Sequence, residues 1–419
     1  PSARGRQAII HFASRVAPPQ TPPNRWFTNG HNDPILYTMT PAQSIGTRLQ
    51  RARKAAGLSL RGMAEALGVS HTLIDKYEAG TLTPNSQQLI GLAKRCGVQV
   101  EYFLRPATLN ALEVEYRQKS RQTAKDKHRI EGAVLDLAER RFELEQLFPT
   151  PPTVAFTLPK GLPAVITDLT AVEAAAAFLR NSWALGKDPI GCMVDVLESH
   201  GIRVFPTSGC EKRFDGLMMH LDAGDAGTWP IVLLDDQWPG DRQRFTLAHE
   251  LGHLVLHDRL KGLSEEAACN AFAGAFMLPA DVLRQQLGER RTQLEARELY
   301  LIKKVYGVSM ACVVYRAKDA GIITDAYYKS WMFLRRQKGW ATKEPGDQLP
   351  PEQPHMFEHL VYHALAEDYI GESKAAELLG MSVFDFYKRR MLDEAPTENA
   401  SSTTGQHATP ETPDARPHQ

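Results

Sequence analysis

Arg244-Phe245-Thr246-Leu247-Ala248-His249-Glu250-Leu251-Gly252-His253-Leu254-Val255-Leu256-His257 is the stretch that decides how the chain is read. In a helix, His249 and His253 stand four residues apart and share one face. Two imidazoles at that spacing can clamp one Zn²⁺ at about 2.0–2.1 Å each. Glu250 projects beside them, where it can take a proton from an attacking water. Phe245, Leu247, Ala248, Leu251, Leu254 and Leu256 make this a buried helix. Burying two histidines and a glutamate among such residues is costly unless something satisfies them, and a metal does. A catalytic zinc also needs a third protein ligand and an open position. The next helical stretch offers Glu265 and Glu266, and spacing alone does not choose between them. His257, one turn past His253, falls beyond the metal. His220, on a strand candidate upstream, is either an oxyanion donor or a solvated strand histidine.

Outward from this helix, the 419 residues are too many for one ordinary core, so two or three domains are expected. Lys+Arg and Asp+Glu are both 49, so no global field points to a partner, and charge must be read by segment. The cysteines Cys96, Cys192, Cys210, Cys269 and Cys312 are odd in number and form no C-x-x-C pair. That pattern argues against a disulfide scaffold and for a reducing compartment, read as cytoplasmic. No apolar run approaches the roughly 18 residues of a membrane span.

Residues 1–40, with Pro18-Pro19-Gln20-Thr21-Pro22-Pro23, read as a disordered leader. Met39 precedes the first well-patterned segment, and both a start there and a plain tail before it agree with the sequence. Residues 44–108 read as a five-helix domain, and 109–150 as a connector of one long charged helix or two. Phe148-Pro149-Thr150-Pro151-Pro152 marks a boundary. From 151 to 322 the pattern is mixed α+β. Helices are expected over Ala171–Leu185 and Pro189–His200, the latter capped by Asp188, with strands at Ile202–Phe205, Gly216–Leu221 and Trp229–Leu234. Residues 323–392 read as helical, with a Pro- and charge-rich loop near 344–354, and 393–419 as a disordered tail. The expected fold class is mostly α with an α+β zinc domain.

In the five-helix segment, Ser59 is placed to cap the second helix and Ser70 the third, while Gly68 suits the left-handed turn between them. Two helices joined by a short Gly-containing turn form a helix-turn-helix. Arg48, Arg51, Arg53, Lys54, Arg61, Lys76, Lys94, Arg95 and Arg105 stand against Glu65, Asp75, Glu78 and Glu101, a net of about +5 that suits a phosphate backbone. Residues 373–390 repeat the pattern, with Ser373 as cap, Gly380-Met381-Ser382 as turn and Lys388-Arg389-Arg390 at the end. That hairpin reads either as an extra DNA contact or as a packing or dimerisation element.

Gly68-Val69-Ser70, Ile74, Glu78-Ala79-Gly80 and Pro84 fall in the register of the Xre/Cro repressor family, which residues 44–105 closely resemble. The resemblance implies a third helix in the major groove, base contacts from His71, Thr72 and Lys76, and a phosphate contact from Ser70. Leu60 replaces the family's frequent Gln, and Arg61 is the polar group that can substitute for it. Arg244 to His253, then Glu266, Asn270, Phe272, Ala273 and Pro279, resemble the ImmA/IrrE family of bacterial metallopeptidases over roughly residues 160–320. Carried over, Glu266 is the third zinc ligand and Glu250 the catalytic base. Cys269 stands where the family usually has Ala.

Together these readings imply a bacterial regulator that binds a double-stranded DNA operator, as a homodimer in the manner of helix-turn-helix proteins, and cleaves a repressor, an antitoxin or itself. The alternative is a transcription factor whose zinc domain senses a ligand or partner without catalysis.

Overall fold

The computed structural model describes residues 41–105, 110–115, 124–206, 217–222 and 227–392. The expected leader and tail, with Cys210 and Gly216, lie outside the described residues. In chain order the elements are α1 (Pro41–Ala55), α2 (Leu60–Leu67), α3 (His71–Glu78), α4 (Ser86–Cys96), α5 (Glu101–Leu104), β1 (Asn110–Glu115), α6 (Ala124–Glu145), α7 (Leu169–Ser182), α8 (Met193–Ser199), β2 (Arg203–Pro206), β3 (Leu217–Asp222), β4 (Thr228–Leu234), α9 (Gly240–Leu256), α10 (Glu265–Met277), α11 (Ala280–Leu287), α12 (Ala296–Tyr306), α13 (Met310–Asp319), α14 (Asp325–Gln337), α15 (Met356–Ala366), α16 (Glu372–Leu379) and α17 (Val383–Arg390).

The five N-terminal helices enclose their own core of Leu49, Met63, Ile74, Tyr77, Leu92 and Phe103. Ser59 accepts from the Gly62 amide at 3.0 Å and Ser70 from the Leu73 amide at 3.2 Å, while Gly68 takes φ 66° between the two helices. The α16–α17 hairpin is built the same way. Gly380 has φ 69° and Ser382 accepts from the Asp385 amide. The N-cap of α16 is Gly371, however, and Ser373 lies inside the helix, so the expected Ser373 cap is corrected.

The segment 109–150 is not helical throughout. Its first part is β1, the edge strand of a sheet ordered β1-β3-β4-β2, with β1 antiparallel to β3, β3 antiparallel to β4, and β2 parallel to β4. Tertiary pairing overrides the helical propensity of its glutamates. Side chains alternate across this sheet. Phe205, Met219, Leu221, Trp229, Ile231 and Leu233 pack on Ile130, Val134, Leu135 and Ala138 of α6. Val204, Met218, Val232 and Leu234 join the core that holds Leu247, Leu251 and Val255 of α9. The sheet is therefore covered by α6 on one face and, on the other, by the helix that carries His249 and His253.

Helix α6 also carries the N-terminal domain and the C-terminal helices. Glu139, nearly buried, pairs with Arg48 at 2.7 Å and Arg51 at 2.8 Å of α1. Farther along, Arg141 is fully buried between Glu145 and Glu198. Burial pushes the Glu145 carboxyl up, but Arg203 and Arg141 outweigh it and hold it below the ordinary range. Leu144 completes a separate core with Leu360, Ala376 and Phe386 of the last three helices.

The loop near 344–354 is a strap across three helix starts. Gly240, the first residue of α9, donates to the Leu349 carbonyl at 3.0 Å, and a Cβ there would collide with the Pro350 carbonyl oxygen. Glu352 accepts from the Met193 and Val194 amides, both at 2.9 Å, and pairs with Arg244 at 2.8 Å. Glu344 accepts from the Met310 amide at 2.9 Å and from the buried Lys303, which also holds Asp241 of α9. The strap takes the place of the expected Asp188 cap, a second correction. Asp188 does not cap a helix starting at Pro189; the helix is α8, its N-cap is Cys192, and its first amides are satisfied by Glu352.

Candidate metal centre and nucleic-acid interface

Helix α9 crosses α10 where Gly252 meets Cys269. A Cβ on Gly252 would lie 3.2 Å from the Phe272 ring and 3.3 Å from the Cys269 Cα, tighter than ordinary contact, so a side chain there would push the helices apart by a few tenths of an ångström. That approach brings the start of α10 over the two histidines. His249 and Glu250 are buried, and His253 is nearly so.

The imidazoles are held from behind. His249 Nδ1 meets Asn270 Oδ1 at 2.8 Å, and His253 Nδ1 meets Glu265 Oε1 at 2.8 Å. Both oxygens are acceptors, so each Nδ1 carries a proton, and in the neutral ring each Nε2 keeps a lone pair. The two Nε2 atoms face each other across 3.2 Å. Two lone pairs at that separation repel unless a cation lies between them. Ligands about 2.0–2.1 Å from a tetrahedral zinc stand about 3.3 Å apart, so the spacing fits. The two Glu266 oxygens face one ring each, Oε2 at 3.9 Å from Nε2 of His249 and Oε1 at 3.9 Å from Nε2 of His253. His249, His253 and Glu266 thus form one group of metal-ligand atoms, and His253, Glu265 and Cys269 form a second.

Spacing leaves Glu265 and Glu266 undivided. In the structure Glu266 approaches the Nε2 atoms and Glu265 holds Nδ1 of His253. Asn270, named from the sequence only as part of the family register and given no role there, stands behind His249, and its position four residues after Glu266 puts it on the same helix face. His257 follows the helix end, exposed, 3.3 Å from Asp258. His220 lies on β3 opposite Pro230, half-buried.

On α3, His71, Thr72 and Lys76 are exposed, as are Ser70 at its N-cap and Arg61 on α2. Thr72 donates to Ser70 Oγ at 3.2 Å. Ile74 and Tyr77 face the core and turn these polar groups outward. The basic excess is smaller at the surface than in the count. Arg48 and Arg51 pair with Glu139, Arg53 forks onto Glu78 at 2.5 and 2.8 Å, and Arg105 pairs with Asp136 at 3.0 Å. Lys54, Arg61, Lys76, Lys94 and Arg95 remain exposed. The second hairpin presents a different face. Phe384 and Tyr387 of α17 are exposed, while Arg389 and Arg390 pair with Glu358 and Glu372.

No described helix is long and apolar enough to cross a membrane. Residues 44–102 match a family described as the helix-turn-helix domain. Residues 197–318 match the IrrE N-terminal-like domain, a peptidase family, over a shorter span than the 160–320 expected. No curated protein matches the chain. A DNA-binding helix-turn-helix domain and an IrrE-like, metallopeptidase-type domain are therefore joined in this one polypeptide.

Proposed function

We propose that this regulator is a zinc-dependent endopeptidase, with His249, His253 and Glu266 as metal ligands and Glu250 as the catalytic base. The observation that carries the reading is the pair of Nε2 atoms 3.2 Å apart, each imidazole held at Nδ1 by its own acceptor. Zinc bound there supplies Lewis acidity toward a peptide carbonyl and the attacking water. Glu250, one residue after His249, accepts the proton of that water and returns it to the leaving amine. Its burial excludes bulk water from the carboxylate and favours proton exchange with the substrate. Asn270 and Glu265 fix the tautomers and orientations of the two rings.

At the DNA-binding end, His71, Thr72 and Lys76 read base edges of a double-stranded operator, Ser70 touches phosphate, and Arg61 adds a polar contact from α2. The protein acts as a homodimer, and its substrate is a repressor, an antitoxin or itself.

The Glu250→Gln protein tests the peptidase reading. Gln is nearly isosteric, so helix, zinc content and operator affinity should persist. Without a basic carboxylate the cleavage rate should fall roughly 10²–10⁴-fold. At matched abundance the variant should fail to switch its target gene in a reporter assay. Normal switching would overturn the protease reading and support a zinc domain that acts only as a sensor.

A further inference from the structure

Cys269 occupies a position that the metal reading leaves unused. It is completely buried on α10, one turn after Glu265, with its backbone against Gly252 of the motif helix. Its sulfur, a His253 ring nitrogen and a Glu265 oxygen all lie within 4.8 Å of one another. Glu265 meets His253 at Nδ1, on the ring edge opposite the Nε2 that faces His249. The two groups of ligand atoms share one imidazole, and the carboxylate of the second meets it at Nδ1 rather than at Nε2.

The donor types of the two groups differ. His249, His253 and Glu266 offer two nitrogens and an oxygen. The second group offers a sulfur, a nitrogen and an oxygen, and thiolate donors favour softer ions such as Cd²⁺ and Zn²⁺ over Mg²⁺ or Ca²⁺. Glu265 is about half exposed, so the group is reached from solvent through its carboxylate although the sulfur is covered. Burial pushes the thiols of Cys96, Cys192 and Cys312 up to about 12, and among the described residues none of the three belongs to a group of metal-ligand atoms as Cys269 does.

We propose that Cys269, Glu265 and Nδ1 of His253 form a second cation subsite, selective for thiophilic divalent ions and distinct from the Nε2 site. Binding displaces the thiol proton to solvent and moves the His253 ring proton from Nδ1 to Nε2, so the ring serves one site at a time, and the three donors close on the ion. The hydrogen bond that orients His253 is lost in the process. Because such outer partners tune a ligand's basicity and position, occupation of this subsite makes the peptidase-type centre responsive to soft metal. The proposal shares His253 with the zinc reading but does not require zinc to be bound.

The test is a Cd²⁺ titration of the full chain, read by the near-ultraviolet thiolate-to-cadmium charge-transfer band, with zinc content measured in parallel. The wild-type protein should develop the band to about one thiolate per chain. Cys269→Ala, which restores the smaller residue typical of the resembled family, should lose the band and keep its zinc. His249→Ala, or Glu266→Gln where the first variant folds poorly, should lose zinc and keep the band. A band that survives in Cys269→Ala, or is absent from the wild type, overturns the subsite. A band lost together with zinc in both His249→Ala and Glu266→Gln makes the thiol a ligand of the Nε2 site and also overturns it. Zinc content unaffected by either of those two variants counts instead against the ligand set under Proposed function.

Discussion

Glu139→Ala should separate two roles that the arginines of the N-terminal domain could play. Glu139 is 4% exposed and holds both Arg48 and Arg51, and the Arg48 side chain is itself only 1% exposed. Removing the carboxylate leaves the Arg48 guanidinium buried without its anionic partner Glu139, while the Arg105 carbonyl stays 2.6 Å from Nε. Breaking a buried pair by removing one partner costs about 3–5 kcal/mol. Arg51 is more exposed and adds little. Loss of this anchor loosens α1 from α6, so the natural readout is native-state hydrogen exchange of the α1 amides. A fall of about 3 kcal/mol in opening free energy corresponds to exchange faster by roughly 10². Operator affinity measured on the folded protein should change little. Lys76→Ala should do the reverse, weakening specific binding by about 1–3 kcal/mol if it reads a base, with α1 exchange unchanged. If Glu139→Ala left α1 exchange alone and tightened DNA binding, Arg48 and Arg51 would be phosphate ligands competed for by Glu139, and the buried anchor would be refuted.

Two further outcomes follow from the contacts. Asn270→Ala should lower zinc affinity about 10–100-fold in a chelator competition by releasing Nδ1 of His249, and unchanged affinity would remove Asn270 from the site. Glu352→Ala leaves Arg244 and the first amides of α8 without their shared acceptor, so the strap should become cleavable by added protease while the N-terminal domain stays resistant; equal resistance of strap and wild type would show that Glu352 does not hold it.

What is legible in the sequence is local. Ser59, Gly68 and Ser70 act within one turn of their own positions, so they place the helix-turn-helix to within a residue or two. The same is true of His249, Glu250 and His253, whose spacing is the geometry. Asn110–Glu115 reads wrongly as helix because of its glutamates and the charged run beyond them. The alternation of Leu112 and Val114 with Glu113 and Glu115 is a strand signal, but too short to outweigh that run. The charge count misleads for a different reason. Composition cannot tell an arginine that forks onto Glu78 from one that waits for phosphate. Glu352 and Arg244 are 108 residues apart, and no periodicity reports such a pair.

These long-range contacts also enlarge the peptidase-type unit beyond the matched span of 197–318. Without α6, one face of the sheet, with Trp229, Ile231 and Leu233, would be bare apolar surface. Without the strap, Lys303 would keep Asp241 but lose Glu344, and the amides of Met310 and Ala311 would lose their acceptor. The motif helix would lose its hold on Leu349 and Glu352 at its first turn. The physical domain therefore begins with a strand and helix that follow the DNA-binding domain and ends with a loop that precedes the last three helices. Helix α6 touches α1 through Glu139, the sheet through Val134 and Ala138, and the C-terminal core through Leu144. Helix α6 is thus the one element on which the N-terminal domain, the layer that supports the motif helix and the last three helices all pack among the described residues.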